Sequence, residues 1–440
     1  MKISRTATLL GAALVFASCQ SHQGGKQENK LTFGSISPAS AKPQAYAISG
    51  SAKLGDLVAA ALKRHPSLVA TRARISALEQ SAIQSRSLPD PSANVGAGQM
   101  AETAAGQVLG TVGVQQKIPF PGKRETAAAV SLRKAEAMKA QLSADELALE
   151  ERVRSAYWDL FVANQTIDVV TESKAPLSTL LESVEARVAT NKARQQDLLR
   201  LENEITRLDQ RLTTARGRKE AASATLNALL YRPSGSALPV PKSNPLMHPA
   251  SKASLLEDAS SRHPEVLAAE ARIAAAEAGV RLAELQKRPD FTAGVSYSPV
   301  SEDGLAPSAN GRDQYMGTLG VTLPLWRDKN KAAQREAEAI LSAEQSTLAS
   351  TRSSLQQRIE SAFASYRAEQ SNLALYSDKL IPDAERSFDL SVTGYQAETS
   401  TFLDVIDAWR QLLNYRLEHE ENRGRAGKAD AALRFAAGLR

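Results

Sequence analysis

The sequence predicts a mainly α-helical protein with a membrane-strand portion, built from a unit of helix, strand, strand, long helix, turn and long helix that occurs twice. Three observations predict it. The first is an internal repeat: Arg64-His65-Pro66 with Ala73-Arg74-Ile75 and Leu88-Pro89-Asp90 returns as Arg262-His263-Pro264 with Ala271-Arg272-Ile273 and Arg288-Pro289-Asp290. The second is helical sequence of unusual length: from about Lys123 to Ala189 there is no glycine and one proline, Pro176, enough for about 100 Å of helix at 1.5 Å per residue. The third is alternating sequence after each Pro-Asp, with one apolar and one small polar face, as in a membrane barrel with a wet interior.

Composition agrees. Aromatic residues are 5% of the 440, thin for one large core, whereas Ala, Leu, Glu, Gln, Arg and Ser suit long packed helices. The formal charge is +6, with Lys and Arg interspersed among Glu and Asp. That is a solvated helix surface rather than a nucleic-acid footprint.

Residues 1–18 have the form of a signal peptide: basic Lys2 and Arg5, then an apolar run from Ala7 to Ala17. Ala17-Ser18 before the single cysteine, Cys19, resembles a bacterial lipoprotein signal, although Phe16 stands where Leu is usual. An ordinary leader cleaved near Ala17 is the alternative. Gln20 after the cysteine points, by resemblance to enterobacterial sorting, to the outer membrane of a Gram-negative cell. Residues 19–50 read as a flexible, lipidated arm rich in Ser, Gly, Gln, Lys and Pro.

The first repeat spans 51–231. His65-Pro66 opens an Ala-rich helix, and Pro89 ends it, because a proline disfavours helix at the residue before it. Strands are expected within about 92–118, followed by a helical hairpin over about 122–231. On the return helix Leu198, Leu201, Ile205, Leu208, Leu212, Ala215, Lys219, Ala222, Leu226 and Leu229 alternate spacings of three and four, a coiled-coil heptad broken only at Lys219. Residues 232–250 are a proline-rich linker.

The second repeat spans 251–422. Its strands, within about 291–324, alternate cleanly: Phe291, Ala293, Val295 and Tyr297 on one face, then Leu319, Val321 and Leu323 against Thr318, Gly320 and Thr322. Four strands cannot close a barrel alone, so several chains are required. A soluble hairpin half-buried on a core is the other reading of the same alternation. The hairpin over about 327–422 carries Leu341, Leu348, Leu355, Ile359, Ala362 and Tyr366 on its outgoing helix and turns at 395–401. Asp404 and Asp407 then share one helix face. Residues 423–440 read as a basic, Ala-rich C-terminal tail whose composition suits a helix.

This order, with Tyr395, Phe402-Leu403-Asp404-Val405-Ile406-Asp407-Ala408 and Pro119-Phe120-Pro121-Gly122-Lys123-Arg124, resembles the outer membrane efflux protein family, the TolC-like channels. The last motif resembles the heavy-metal efflux branch. The resemblance covers roughly 54–420 and implies a homotrimer: one twelve-stranded barrel in outer membrane lipid above an α-helical periplasmic tunnel. It implies a passive duct working with a periplasmic adaptor and an inner membrane pump of the RND type, for metal ions or drugs. A type I protein secretion duct and a lipid-anchored periplasmic coiled coil remain as alternatives. Carried over by position, Asp404, Asp407, Asp197 and Tyr395 would form the pore constriction. Ser400 stands where some members have an arginine, so Arg194 or Lys192 would replace that latch. Asn191, Lys192, Glu398 and Ser400 would form the tips that meet the adaptor. Asn191 stands where a glycine is frequent, and Asn tolerates the left-handed conformation; Glu398 suits the matching place less well. For Asp404 and Asp407 the alternative is an exposed acid pair at a helix start, favoured by the helix dipole.

No phosphate loop, paired Cys ligands or HExxH is present, and the five histidines are scattered. His65 and His263, each before a proline, read as structural. Neither catalysis nor a cofactor is expected, and the energy for transport must come from a partner.

Overall fold

The computed structural model describes residues 46, 48, 53–97, 102–191, 193–242, 246 and 251–439. The leader, Cys19, nearly all of the 19–50 arm and Lys192 lie outside the described residues.

Each repeat opens on a broken helix. α1 (Leu54–Arg64) and α2 (Pro66–Arg86) meet at His65. There the backbone is extended, the imidazole Nδ1 accepts from Ser67 N–H at 3.3 Å, and Pro66 begins the next helix without an N–H to lose. β1 (Ser92–Gly96), the two-residue strands β2 (Glu102–Thr103) and β3 (Gly106–Gln107), and β4 (Thr111–Ile118) follow. α3 (Lys123–Ala189) then runs 67 residues through Pro176, and α4 (Gln195–Leu229) returns along it. In the second repeat α5 (Lys252–Arg262) and α6 (Pro264–Leu285) break at His263 in the same way. β5 (Asp290–Ser298), β6 (Gln314–Thr322) and α7 (Arg327–Leu375) follow.

The second outgoing helix is not continuous α-helix. A π-helical turn, Tyr376–Leu380, separates α7 from α8 (Ile381–Gln396). Pro382 is the physical reason: it offers no N–H, and its ring would press on the carbonyl four residues back. The wider turn lets Ile381 N–H bond Tyr376 O instead. α9 (Phe402–Ala437) then runs on through the basic, Ala-rich tail. Ala426, Ala431, Leu433, Ala436 and Ala437 are buried, so the helix continues because its small residues pack.

β1, β4, β5 and β6 form one antiparallel sheet in the order β1-β4-β5-β6. Its register aligns Ala93 with Val114 and Val295, Val95 with Val112 and Tyr297, and Ala293 with Leu319. One face is therefore apolar, and it is open to solvent: Val95, Val295, Tyr315 and Leu319 are 75, 68, 80 and 91% exposed. The other face carries Asn94, Thr111, Gly113, Gln115, Thr292, Gly294, Ser296 and Thr318. The outer edges of β1 and β6 have no partner strand among the described residues. Beyond the strands, residues 102–108 and 299–311 are joined by Ser301 N–H to Gln107 O (2.8 Å), Ala306 N–H to Ala104 O (3.0 Å) and Gly311 N–H to Ala105 O (2.9 Å).

Among the described residues three apolar clusters hold the helices together. One centres on Tyr157, Trp158 and Phe161 of α3 with α1 and the end of α4. A second joins α3, α4 and α9 towards the hairpin ends through Leu177, Val184, Leu201, Leu208 and Ile406. A third joins α5, α7 and the end of α9. The heptad on α4 faces inward as its spacing requires, with Leu201, Leu208 and Leu226 buried and Lys219 exposed. Each fully buried Leu contributes about 1.5–3 kcal/mol.

Candidate functional site at the hairpin ends

Both hairpins close on a residue in the left-handed conformation: Asn191 (φ 55°) after α3 and Glu398 (φ 62°) after α8. Each sits one residue past the helix cap. Asn191 N–H bonds Val188 O at 3.0 Å and Glu398 N–H bonds Tyr395 O at 3.3 Å. In the second turn Thr399 N–H also bonds Gly394 O at 2.8 Å, completing a Schellman closure. Gly394 leaves room for this turn, since a Cβ there would lie 2.3 Å from Ser400 Oγ and displace that side chain.

α9 starts with a capping box. Thr401 Oγ1 accepts from Asp404 N–H at 3.3 Å, and Asp404 Oδ2 accepts from Thr401 N–H at 2.8 Å and from its hydroxyl at 2.7 Å. The hydroxyl bond first, and the backbone bond with it, hold the Asp404 carboxyl below its ordinary range. Asp407, one turn on, pairs with Arg410 at 3.2 Å. Arg410 also reaches the buried Glu204 of α4, which pairs with Arg207 at 3.0 Å. Both aspartates are exposed, as expected for one helix face, but each is already engaged within the chain.

Tyr395 lies where the two hairpins meet. Its ring packs edge-on against Phe402 at 6.0 Å, and its hydroxyl is buried with no hydrogen-bond partner among the described residues. Burial pushes its pKa up, and the nearby Asp197 carboxylate adds to that against the opposing Arg187. Asp197 itself is 17% exposed in the first turn of α4 and stands 4.0 Å from Arg200.

The residue that joins the two turns is Arg187, which the sequence did not single out. From the last turn of α3 its guanidinium stacks over the Tyr395 ring at 4.8 Å, donates to Tyr395 O at 3.2 Å and pairs with Glu398 at 3.2 Å. Arg194 instead occupies the N-cap position of α4 with an exposed side chain and gives no side-chain cap. Ser400 uses its backbone, donating to Gly394 O at 3.1 Å. A signal for Arg187 existed in its position three residues before the helix cap, where a cation also meets the helix dipole favourably. Its partners come from a segment 208 residues away.

Among the described residues no group of three His, Cys, Asp or Glu could hold a metal ion, and no helix is long and apolar enough to cross a membrane. What could face a bilayer is the apolar side of the sheet.

The sequence profile of outer membrane efflux proteins matches residues 57–230 and 255–439. The chain belongs to the outer membrane efflux protein family. The family consists of channel proteins rather than enzymes. The chain is 24% identical over 328 residues to the pyoverdine export outer membrane protein OpmQ of Pseudomonas putida, covering 72% of this chain and 67% of that one. It is 21% identical to the cobalt-zinc-cadmium resistance protein CzcC of Cupriavidus metallidurans, covering 80% and 82%. In structure it resembles the outer membrane protein VceC of Vibrio cholerae, with a TM-score of 0.72, 22% identity and coverage of 88% and 96%. That likeness shows the fold: a mainly helical tunnel segment with barrel strands.

Proposed function

We propose that three copies of this chain form one twelve-stranded barrel through the outer membrane above a periplasmic helical tunnel, and that the trimer is the passive exit duct of a tripartite efflux system. The observation that carries this reading is a sheet with an exposed apolar face, a polar opposite face and two open edges. Strand direction alternates from β1 to β6, so joining β6 of one copy to β1 of the next preserves the antiparallel order and removes both edges. Two copies would give eight strands, a barrel just wide enough for its own side chains to fill; three leave a wet lumen. The same sheet argues against a periplasmic coiled coil, which needs no such apolar surface.

In this reading the hairpin ends form the periplasmic gate. Asp404, Asp407 and Asp197 place carboxylates around the exit, where rings of acid favour cations. Arg187 takes the latch role expected of Arg194, and the buried Tyr395 hydroxyl awaits an acceptor from a neighbouring copy. Asn191, Lys192, Glu398 and Ser400 present the tips to a periplasmic adaptor, which couples the duct to an inner membrane pump of the RND type. Cys19 bears the lipid anchor. We assign the cargo to metal ions or drugs, selected by the pump; the name of the cobalt-zinc-cadmium resistance relative supports metal ions. Planar-bilayer recording of the purified trimer tests the duct. Steps of conductance that grow when Asp404 and Asp407 are both changed to Ala are expected, and a folded trimer that never conducts in either form refutes it. A deletion strain screened against metals, drugs and secreted protein separates efflux from type I secretion.

A further inference from the structure

Four stretches lie where the sheet meets the helices: 86–90, 117–125, 287–290 and 327–331, the last being the opening residues of α7. The register puts them all at one end of the sheet, since Ile118 lies opposite Phe291 and Asp290 opposite Thr322. Together they hold nine Lys and Arg against four Asp and Glu. The whole chain carries a net +6, so this level holds nearly all the excess positive charge. The connections at the other end, 97–110 and 299–313, hold one Arg against four carboxylates.

The basic end is not neutralised from within. Asp290 is shared by Lys117 at 3.5 Å and Lys123 at 2.7 Å. Lys287, Arg327, Lys329 and Lys331 are exposed and stand in no ion pair among the described residues. They directly adjoin the end of the apolar face, where Leu323, Leu325 and Trp326 are 60, 73 and 79% exposed. An apolar band, then an aromatic residue, then long cationic side chains is the order that matches a bilayer crossed from its hydrocarbon into its headgroups.

We propose that this end of the sheet is a basic collar that binds the phosphates of anionic phospholipids at the periplasmic face of the membrane. The proposal rests on the duct reading, because only a sheet standing in a bilayer brings these cations to headgroup level. The collar fixes the depth of the barrel, and the acidic connections opposite disfavour the inverted orientation. Surface cations near an anionic leaflet attract it additively, within a screening length that salt shortens.

The test uses the full-length trimer in vesicles of phosphatidylcholine with or without phosphatidylglycerol, followed by detergent extraction and measurement of the lipids retained. Wild type is expected to enrich phosphatidylglycerol, less so at high salt. In K287Q/R327Q/K329Q/K331Q that enrichment falls by at least about fivefold, the effect of one surface cation. Should the fourfold variant fail to insert, K329Q/K331Q gives the same direction with a smaller fall. Wild type without a preference, or variants that keep the wild-type enrichment, overturn the collar. Conductance of the same wild-type preparation separates the two readings: a silent trimer refutes the duct, whereas lipid retention reports on the collar.

Discussion

Arg187 makes three different contacts to the opposite turn, and each is weak alone. Its ion pair with Glu398 is exposed on the glutamate side and is worth no more than about 1 kcal/mol, but stacking and the carbonyl bond fix the same guanidinium. Arg187→Gln is therefore expected to leave the fold intact and raise the open probability of the trimer in planar bilayers; unchanged gating would remove Arg187 from the latch. At Asn191, glycine should be neutral or stabilising by up to about 1 kcal/mol, while valine, which resists a positive φ, should cost more than that in thermal unfolding. His263 offers a pH prediction. Its Nε2–H donates to Phe435 O at 3.1 Å and its Nδ1 accepts from Glu265 N–H at 3.2 Å, so the ring is held neutral. Burial lowers its pKa from the ordinary 6.5, with Arg358 acting the same way and Phe435 O and Glu265 opposing. A group with a depressed folded pKa that must charge in acid gives stability present above 6.5 and lost as pH falls below it. His263→Asn keeps an N-cap and should flatten the melting temperature of the full protein between pH 7 and pH 5.

At the scale of elements, α3 and α9 approach closely because α9 offers glycine where α3 offers Trp158. A Cβ on Gly427 would lie 2.0 Å from the Trp158 ring, and one on Gly424 would lie 2.1 Å from Val162. Gly427→Ala should cost about 1–3 kcal/mol by overpacking, read as a lower midpoint of denaturant unfolding. The sheet gives a paired test of its two faces. Leu319→Arg puts a charge on the apolar face and should block stable insertion, at about 2–4 kcal/mol near the bilayer midplane. Met316→Arg, on the face with Ser296, should insert with nearly wild-type yield and heat-modifiable mobility. Equal effects of the two would show that the faces are wrongly assigned.

At the scale of the whole molecule, two open edges and an apolar surface require copies, and alternation of strand direction lets copies join without a mismatch. The same arrangement explains why the helices are so long. A strand of nine residues crosses a bilayer, whereas α3 extends the protomer by about 100 Å on the far side. The hairpin ends are thus remote from the barrel, and nothing but helix packing links them. Thermal unfolding in detergent should accordingly depend on protein concentration in the range where trimers dissociate.

Much of this was legible in the residues. The duplicated His-Pro and Pro-Asp marks placed the helix after each His-Pro and the strands after each Pro-Asp, because helix caps, proline and two-residue alternation are local rules that neighbours in sequence obey. Asn191 could be assigned its left-handed turn for the same reason. What the sequence did not reveal depends on partners far along the chain. Arg187 meets Tyr395 and Glu398 across more than two hundred residues, and Arg410 spans from Asp407 to Glu204. The C-terminal tail is buried because α3 and α7 supply the surface against which its alanines and glycines pack. Local chemistry, then, set the elements and their order; the tertiary structure decided which charges are free, because a charge is free or paired only once distant helices have been brought together.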